Sequence, residues 1–390
     1  MCNKSKGFFA SLFFNITIFS SLFIMGIQFT QHYFISKESL IGPIIILVSI
    51  FIYYLVFNKK LIINKGTISV FSISTIFFVY YIINTNSQAQ LKPEYMIYLS
   101  IIYLIFIFIG TFDKKIISFP MWIVFIFIYS NLIFLPRLLS HMSFTHANSN
   151  GIIAFLLLFF CIINLKESNK LLRILNIYNT IFLILVLFIA TSRAAMLAFF
   201  VVIFIYLVTK KLHKYTFYFV TALIILSQSF TLFYLQAKDT SLGTFLNELA
   251  LKYTGKRFFT GRDRAWKESL EDVTQSGSVW TGLGNNIQHD EFNGYLHNVY
   301  VQLFYQSGII GILLMSGIFL TIAFIATKVT VPEIDHTYKT LFSYFTGILF
   351  LQIFEGHLIY KFEIISLLCW IIMALFVNKI VSPGAENVRH

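Results

Sequence analysis

Long apolar stretches separated by short polar or basic connections set the rhythm of this chain. An α-helix needs about 20 apolar residues to cross the roughly 30 Å hydrocarbon core of a bilayer. Only helices and closed barrels satisfy every backbone polar group in lipid, and these runs lack the two-residue alternation of barrel strands. The pattern therefore predicts an all-α polytopic membrane protein, a single integral membrane domain over 1–390. Twelve transmembrane helices fit, over 8–28, 40–57, 67–84, 95–111, 116–135, 151–164, 173–190, 194–209, 215–235, 299–326, 340–357 and 362–378. Lys4 and Lys6 precede a long apolar run with no small-residue cleavage site, so that run is expected to be a first span and not a removable signal.

One segment, 236–298, leaves the apolar rhythm for more than a few residues and is read as a long external loop. Leu242, Phe245, Leu246, Leu249 and Tyr253 recur at helical spacing, and so do Trp266, Leu270 and Val273. Two short amphipathic helices are expected to lie over the outer face of the bundle, followed by the turn-rich "TGLGNN" and a return to the membrane at His297.

Composition sharpens this picture. Of 390 residues, 57% are hydrophobic and 12% charged, with 46 phenylalanines, which excludes an ordinary soluble domain. The formal charge of +12 could suggest nucleic acid, but the basic residues cluster between apolar runs, where they act as topology signals. With the N-terminus inside, 17 of the 29 Lys and Arg fall on predicted cytoplasmic pieces and five on short external ones. The other seven lie in the long loop. That bias puts both termini in the cytoplasm. Cys2, Cys161 and Cys369 are scattered without metal-like or paired spacing, so neither a disulfide nor a structural zinc is expected.

Three polar features could carry chemistry. Arg193, in "IATSRAAMLAFF", joins two apolar runs, where an arginine either snorkels to headgroups or serves a function. The small neighbours Ser192, Ala194 and Ala195 favour function, because they let helices close around it. The stretch "KRFFTGRDRAWKESL" carries Lys256, Arg257, Arg262, Arg264 and Lys267, and an arginine fork matches phosphate oxygens. Its alternative is a solvated helix face, since the loop also holds eight acidic residues. His297 opens an apolar run after the loop and could accept a proton, with Asn298 orienting it or a substrate hydroxyl. A structural hydrogen-bonding role is the alternative for both. Asn148 and Asn150 would shape a helix start, with a sugar contact second; Glu355 and His357 would cap or contact a helix end, with a substrate contact second. His141 and His146 lack partners at ligand spacing, so no metal is expected.

Taken in order, "NSNG", "TSRAA", "GRDRAW", "GLG" and "HNVYVQLFYQSGIIG" resemble the superfamily of bacterial O-antigen polymerases and O-antigen ligases, most specifically over 190–312. The resemblance implies a membrane-embedded, metal-independent glycosyltransferase without cofactor. Its donor would be a glycan on undecaprenyl diphosphate, at the periplasmic face of the bacterial inner membrane. By this resemblance Arg193 and Arg262 would hold the diphosphate, and His297 would be the base that activates an acceptor hydroxyl. Arg264 is the alternative to Arg262, which is favoured because it follows Gly261 and fits the family pattern. Polymerase is preferred to ligase on the compact loop; a lipid-glycan flippase or transporter and a non-catalytic export scaffold are the readings from other classes. A chain-length regulator and a flippase of the same pathway are the expected protein partners.

Overall fold

The computed structural model describes residue 12, residues 15–23, 25, 44–49, 63–88, 93–111, 119–139, 147–255, 257–259, 261–284, 296–330, 334–359 and 364–382. The predicted span 40–57 lies mostly outside these residues, as does about half of 8–28, and Cys2, His141, His146, the "NN" of "TGLGNN" and both chain ends lie outside them too. Among the described residues the protein is all-helical. The helices include α1 Lys65–Gln88, α2 Pro93–Thr111, α3 Phe119–Tyr129, which continues as a π-turn and a short helix to Leu139, α4 Ala147–Ile163, α5 Lys170–Ile189 and α6 Arg193–Leu212. There follow α7 Thr216–Ala237, α8 Ser241–Thr254, α9 Arg262–Gln275, α10 Val299–Ala326, α11 His336–Leu351 and α12 Ile364–Val381. Among the described residues five helical runs, Lys65–Asn84, Lys170–Ile189, Arg193–Ala237, Val299–Ala326 and Ile364–Val381, are long and apolar enough to cross a membrane.

The longest of these runs, Arg193–Ala237, is two helices and not one rod. Residues 193 and 234 would stand ~60 Å apart along a straight helix. Yet the Arg193 guanidinium donates to the Arg257 carbonyl and the Tyr234 hydroxyl donates to the Phe258 carbonyl. The chain therefore doubles back at the 3-10 turn His213–Tyr215, as the break between predicted spans 194–209 and 215–235 requires.

Packing follows from small residues and amide ties. In lipid, helices gain little from apolar burial against one another, so close approach and hydrogen bonds carry more of the association. Gly347 of α11 lies against Val202 and the Ala198 carbonyl of α6, leaving no room for a Cβ. Gly151 of "NSNG" meets Ser192 of "TSRAA" in the same way, so two of the motif stretches are in direct contact. Asparagines stitch neighbouring helices through carbonyls: Asn179 to Ile123 at 2.8 Å, Asn176 to Cys161 at 2.9 Å, Asn164 to Phe119 at 2.8 Å. Helix α12 is apolar all round because it is enclosed on all sides, with 89% of its span buried.

Two predicted spans differ in the structure. Helix α10 is broken at Gly308, whose φ of 62° and ψ of −161° are not helical. A break frees main-chain groups that lipid cannot satisfy, and the turn 278–284 satisfies them. Leu283 N–H donates to Tyr305 O and Gly284 N–H to Gln306 O, while Ile309 and Ile310 donate to the carbonyls of Val279 and Trp280. Tyr80 adds a bond to Ser307 O, and Asn84 one to Gln306 O. Helix α11 stops at Leu351, short of the predicted 357, and residues 352–359 follow as a buried irregular strap. Gln352 ends it by turning its side-chain carbonyl onto Leu358 N–H at 3.2 Å.

A second, smaller apolar cluster sits at the end of the bundle where α9 and the start of α10 meet α7. Tyr234, Ala265, Trp266, Val273, Leu296, Val301 and Tyr305 form its buried part. Trp266 is the keystone: it is fully buried, and its indole N–H donates to Leu296 O, the residue before His297. Truncating such a side chain costs roughly 3–5 kcal/mol.

Candidate functional site

The site is built on helix beginnings. Arg193 is the first residue of α6 and Arg262 the first of α9. A cation there opposes the helix dipole, and neither Ser192 nor Gly261 supplies a side-chain cap. Two uncapped amino ends, each carrying a guanidinium, concentrate positive charge of the kind that binds anions. Gly261 makes the entry to α9 possible, with a φ of 87° that suits glycine. Thr191, at φ 48°, turns the chain between α5 and α6 and delivers Arg193 to the same end of the bundle.

Arg193 is half-buried and reaches the Arg257 carbonyl with both terminal nitrogens, each at 3.2 Å. Arg262 donates to Phe354 O at 2.7 Å and to a carboxylate oxygen of Glu355 at 3.1 Å. The two guanidiniums feel each other's charge. Glu355, on the strap after α11, then hands its other oxygen to the Nδ1 edge of His297 at 2.9 Å. His357 Nε2 stands 3.7 Å from that same oxygen. Arg262, Glu355 and His297 thus form a continuous polar chain, with Arg193 beside it.

Charge and burial decide the protonation states. Burial alone would raise the Glu355 carboxyl, but Arg262 and then His297 and His357 outweigh it, and its pKa falls to about 2. An ionised carboxylate only accepts hydrogen bonds, so the His297 Nδ1 facing it carries the proton. The ring's lone pair is then on Nε2. The His297 side chain is 30% exposed, yet the protein around it is dense enough that burial is the leading influence on its pKa. Burial lowers it, Glu355 pulls it back up, and Arg262 and His357 push it down, for a net lowering below the usual histidine value. His297 is accordingly neutral at neutral pH, with a basic nitrogen directed by a buried carboxylate.

His297 has a φ of 52°, in the left-handed region. A non-glycine residue is held there only when its surroundings over-determine it, which occurs often at functional sites. Here Asn298 provides the restraint. Its Oδ1 caps α10 through Tyr300 N–H at 2.8 Å and Val301 N–H at 3.1 Å. Its amide donates to Thr231 and to Ile353 O at 3.1 and 2.9 Å.

Residues 178–316 match the family described as O-antigen ligase. The match bears out the resemblance to the O-antigen ligase and polymerase superfamily, whose members are membrane glycosyltransferase-like enzymes. No curated protein and no solved structure matches the chain. The matched segment contains Arg193, Arg262 and His297, and ends before the strap that supplies Glu355.

Not every residue singled out in the sequence reaches this cluster. Arg264 points to the exposed face of α9 and pairs with Glu268 one turn on, at 2.7 Å. Asn298 is fully buried with both ends of its amide engaged by Thr231, Ile353 O and the first amides of α10. Within the matched segment, "GLG" serves the α10 break: a Cβ on Gly282 would collide with the backbone of Gln306 and Ser307. Glu355 is the residue that sequence reasoning underrated, as a helix-end contact. The available signal was a lone carboxylate in the otherwise apolar "LFLQIFEGHLIY". Among the described residues no group of three or more His, Cys, Asp or Glu could hold a metal ion.

Proposed function

We propose that the protein joins glycan repeats carried on undecaprenyl diphosphate, as a surface-polysaccharide polymerase at the outer face of the bacterial inner membrane. The observation that carries this reading is the convergence of Arg193, Arg262 and a carboxylate-directed His297 within a segment matching the O-antigen ligase family. Twelve spans, cytoplasmic termini and an outward-facing segment 236–298 belong to the same proposal, supported by the distribution of Lys and Arg. The broken α10 supports it too. Residues 309–326 make ~27 Å of helix, close to the hydrocarbon thickness, so the first turns of α10 stand at or above the headgroups with His297.

A lipid diphosphate is already a good leaving group, so the catalyst's work is to neutralise developing charge and to orient two glycans. His297 Nε2 takes the proton of the acceptor hydroxyl as its oxygen attacks the anomeric carbon from the face opposite the diphosphate. The bond from that carbon to the diphosphate oxygen breaks, and the electron pair leaves with the lipid diphosphate. Arg193 and Arg262 receive the new negative charge, giving inversion without a metal. Glu355 stabilises the imidazolium that forms.

A ligase reading is equally compatible with the family match: in it the glycan would pass to a lipid A core. A flippase accounts less well for the arrangement, since moving a lipid across a membrane requires no directed base. The test is the surface-glycan ladder of a deletion strain complemented with wild type or His297→Ala. Single core-linked repeats in both the deletion and the mutant support the polymerase. Loss of all core-linked glycan, with long lipid-linked polymer accumulating, supports the ligase. A normal ladder from a normally inserted His297→Ala protein would exclude His297 as the base.

A further inference from the structure

Helix α8 carries an exposed apolar face that the mechanism above does not use. Leu242, Phe245, Leu249 and Tyr253 line one side at spacings of three and four residues, and are 48%, 57%, 42% and 73% exposed. Thr244 and Glu248 fill the rest of the exposed arc together with Leu251, while Lys252 borders Phe245 with its ammonium over the Tyr253 ring. Gly243, Leu246, Asn247 and Ala250 turn toward the protein. A soluble helix of this kind would leave four large apolar side chains in water. Its surroundings say what covers them: Ile189 at the end of α5, Leu197 at the start of α6, and Leu232 and Phe233 at the end of α7 are all exposed. On helices that cross a bilayer, those side chains meet acyl chains, and α8 follows α7 after three residues and extends that surface.

The inward face of α8 is tied to the arginine site. Asn247 Oδ1 accepts from Phe258 N–H at 2.9 Å. Tyr234 holds the carbonyl of the same residue at 3.1 Å, and the preceding carbonyl, of Arg257, is the one that receives both Arg193 nitrogens. The peptide beneath Arg193 is therefore held from α6, α7 and α8 together.

We propose that α8 docks on the outer-leaflet lipid surface through Leu242, Phe245, Leu249 and Tyr253, and that Asn247 transmits this seating to the Arg257–Phe258 peptide that holds Arg193. The proposal rests on the outward orientation and the transfer reaction given above. It assigns α8 an occupant, the bilayer itself, and makes Asn247 a positioning residue for donor binding.

The test uses the full chain in lipid nanodiscs, its own cysteines replaced, with single nitroxide labels at Leu242→Cys, Thr244→Cys, Phe245→Cys, Glu248→Cys and Leu249→Cys. All five positions are exposed in the protein alone, so water would treat them alike. Docking on lipid makes labels at 242, 245 and 249 accessible to oxygen and shielded from a water-soluble nickel chelate, with the reverse at 244 and 248. Equal nickel access at all five overturns the proposal, and so does shielding of 242, 245 and 249 from both reagents, which would mean a second copy or another protein covers the face. In liposomes, Asn247→Ala is expected to raise the KM for the lipid-linked donor about tenfold with kcat little changed, and an unchanged KM refutes the tether. Should the transfer reaction itself be misassigned, wild type would form no product while the label pattern persisted.

Discussion

Replacing Glu355 with glutamine separates the directed-base reading from a merely structural one. The substitution keeps the shape but removes the charge that faces both Arg262 at 3.1 Å and His297 at 2.9 Å. A hydrogen bond to a charged group contributes about 1.5–3 kcal/mol, so loss of the charge that stabilises the imidazolium lowers kcat by roughly 10- to 100-fold. The pH profile adds a sign. Glu355 raises the His297 pKa against the lowering by burial, so removing it lets that pKa fall further. The acid limb of the rate profile, which reports His297 losing its proton as pH rises, should move to lower pH while the plateau drops. Glu355→Asp should recover part of the rate, because the charge returns on a shorter arm. The assay is transfer from a synthetic polyprenyl-diphosphate glycan across pH 4–8, with thermal unfolding in detergent as a check on folding. Full activity with an unmoved acid limb would refute the argument; so would lost activity that tracks lost stability alone.

Two further outcomes follow from the same geometry. Arg193→Lys and Arg262→Lys keep the charge but not the fork, and each should lower kcat/KM by about 10- to 100-fold in the transfer assay; near-normal rates would mean the site needs only charge. Gly308→Ala places a Cβ against the backbone of Trp280 at a φ of 62° and should lower stability by more than ~3 kcal/mol, read as a fall in unfolding midpoint. Gly255→Ala is the control: its φ is 67° but nothing lies within 4 Å, so only the ~1 kcal/mol of backbone cost is expected.

The helices and the two arginines were legible in the sequence for different reasons. Apolar run length is set by element geometry, so α5, α6, α7 and α12 begin and end within a few residues of their predicted bounds. Arg193 stood out because an arginine among small apolar residues has few structural uses. The α10 break was hidden because "YQSGIIG" is apolar enough to continue a helix, and the groups that repair it come from Val279 to Gly284, 22 to 30 residues upstream of their partners. Glu355 was hidden likewise: its meaning depends on Arg262 and His297, 93 and 58 residues away, and no local pattern records such a meeting. Arg264, the alternative to Arg262, is placed by helix phase on the exposed side of α9, a distinction its charge alone does not record.

The seam between α10 and the 278–284 turn is sewn by four amides and four carbonyls of the main chain, with Asn84 of α1 bridging Thr281 O and Gln306 O across it. Apart from the glycines that permit the approach, such a joint is indifferent to the side chains it carries. Trp280, whose carbonyl is fastened to Ile310 while its indole is 63% exposed, shows the result. The turn is an interchangeable mount. Related chains could change the groups displayed there, adapting to a different sugar or a different membrane, without re-engineering the helix break beneath.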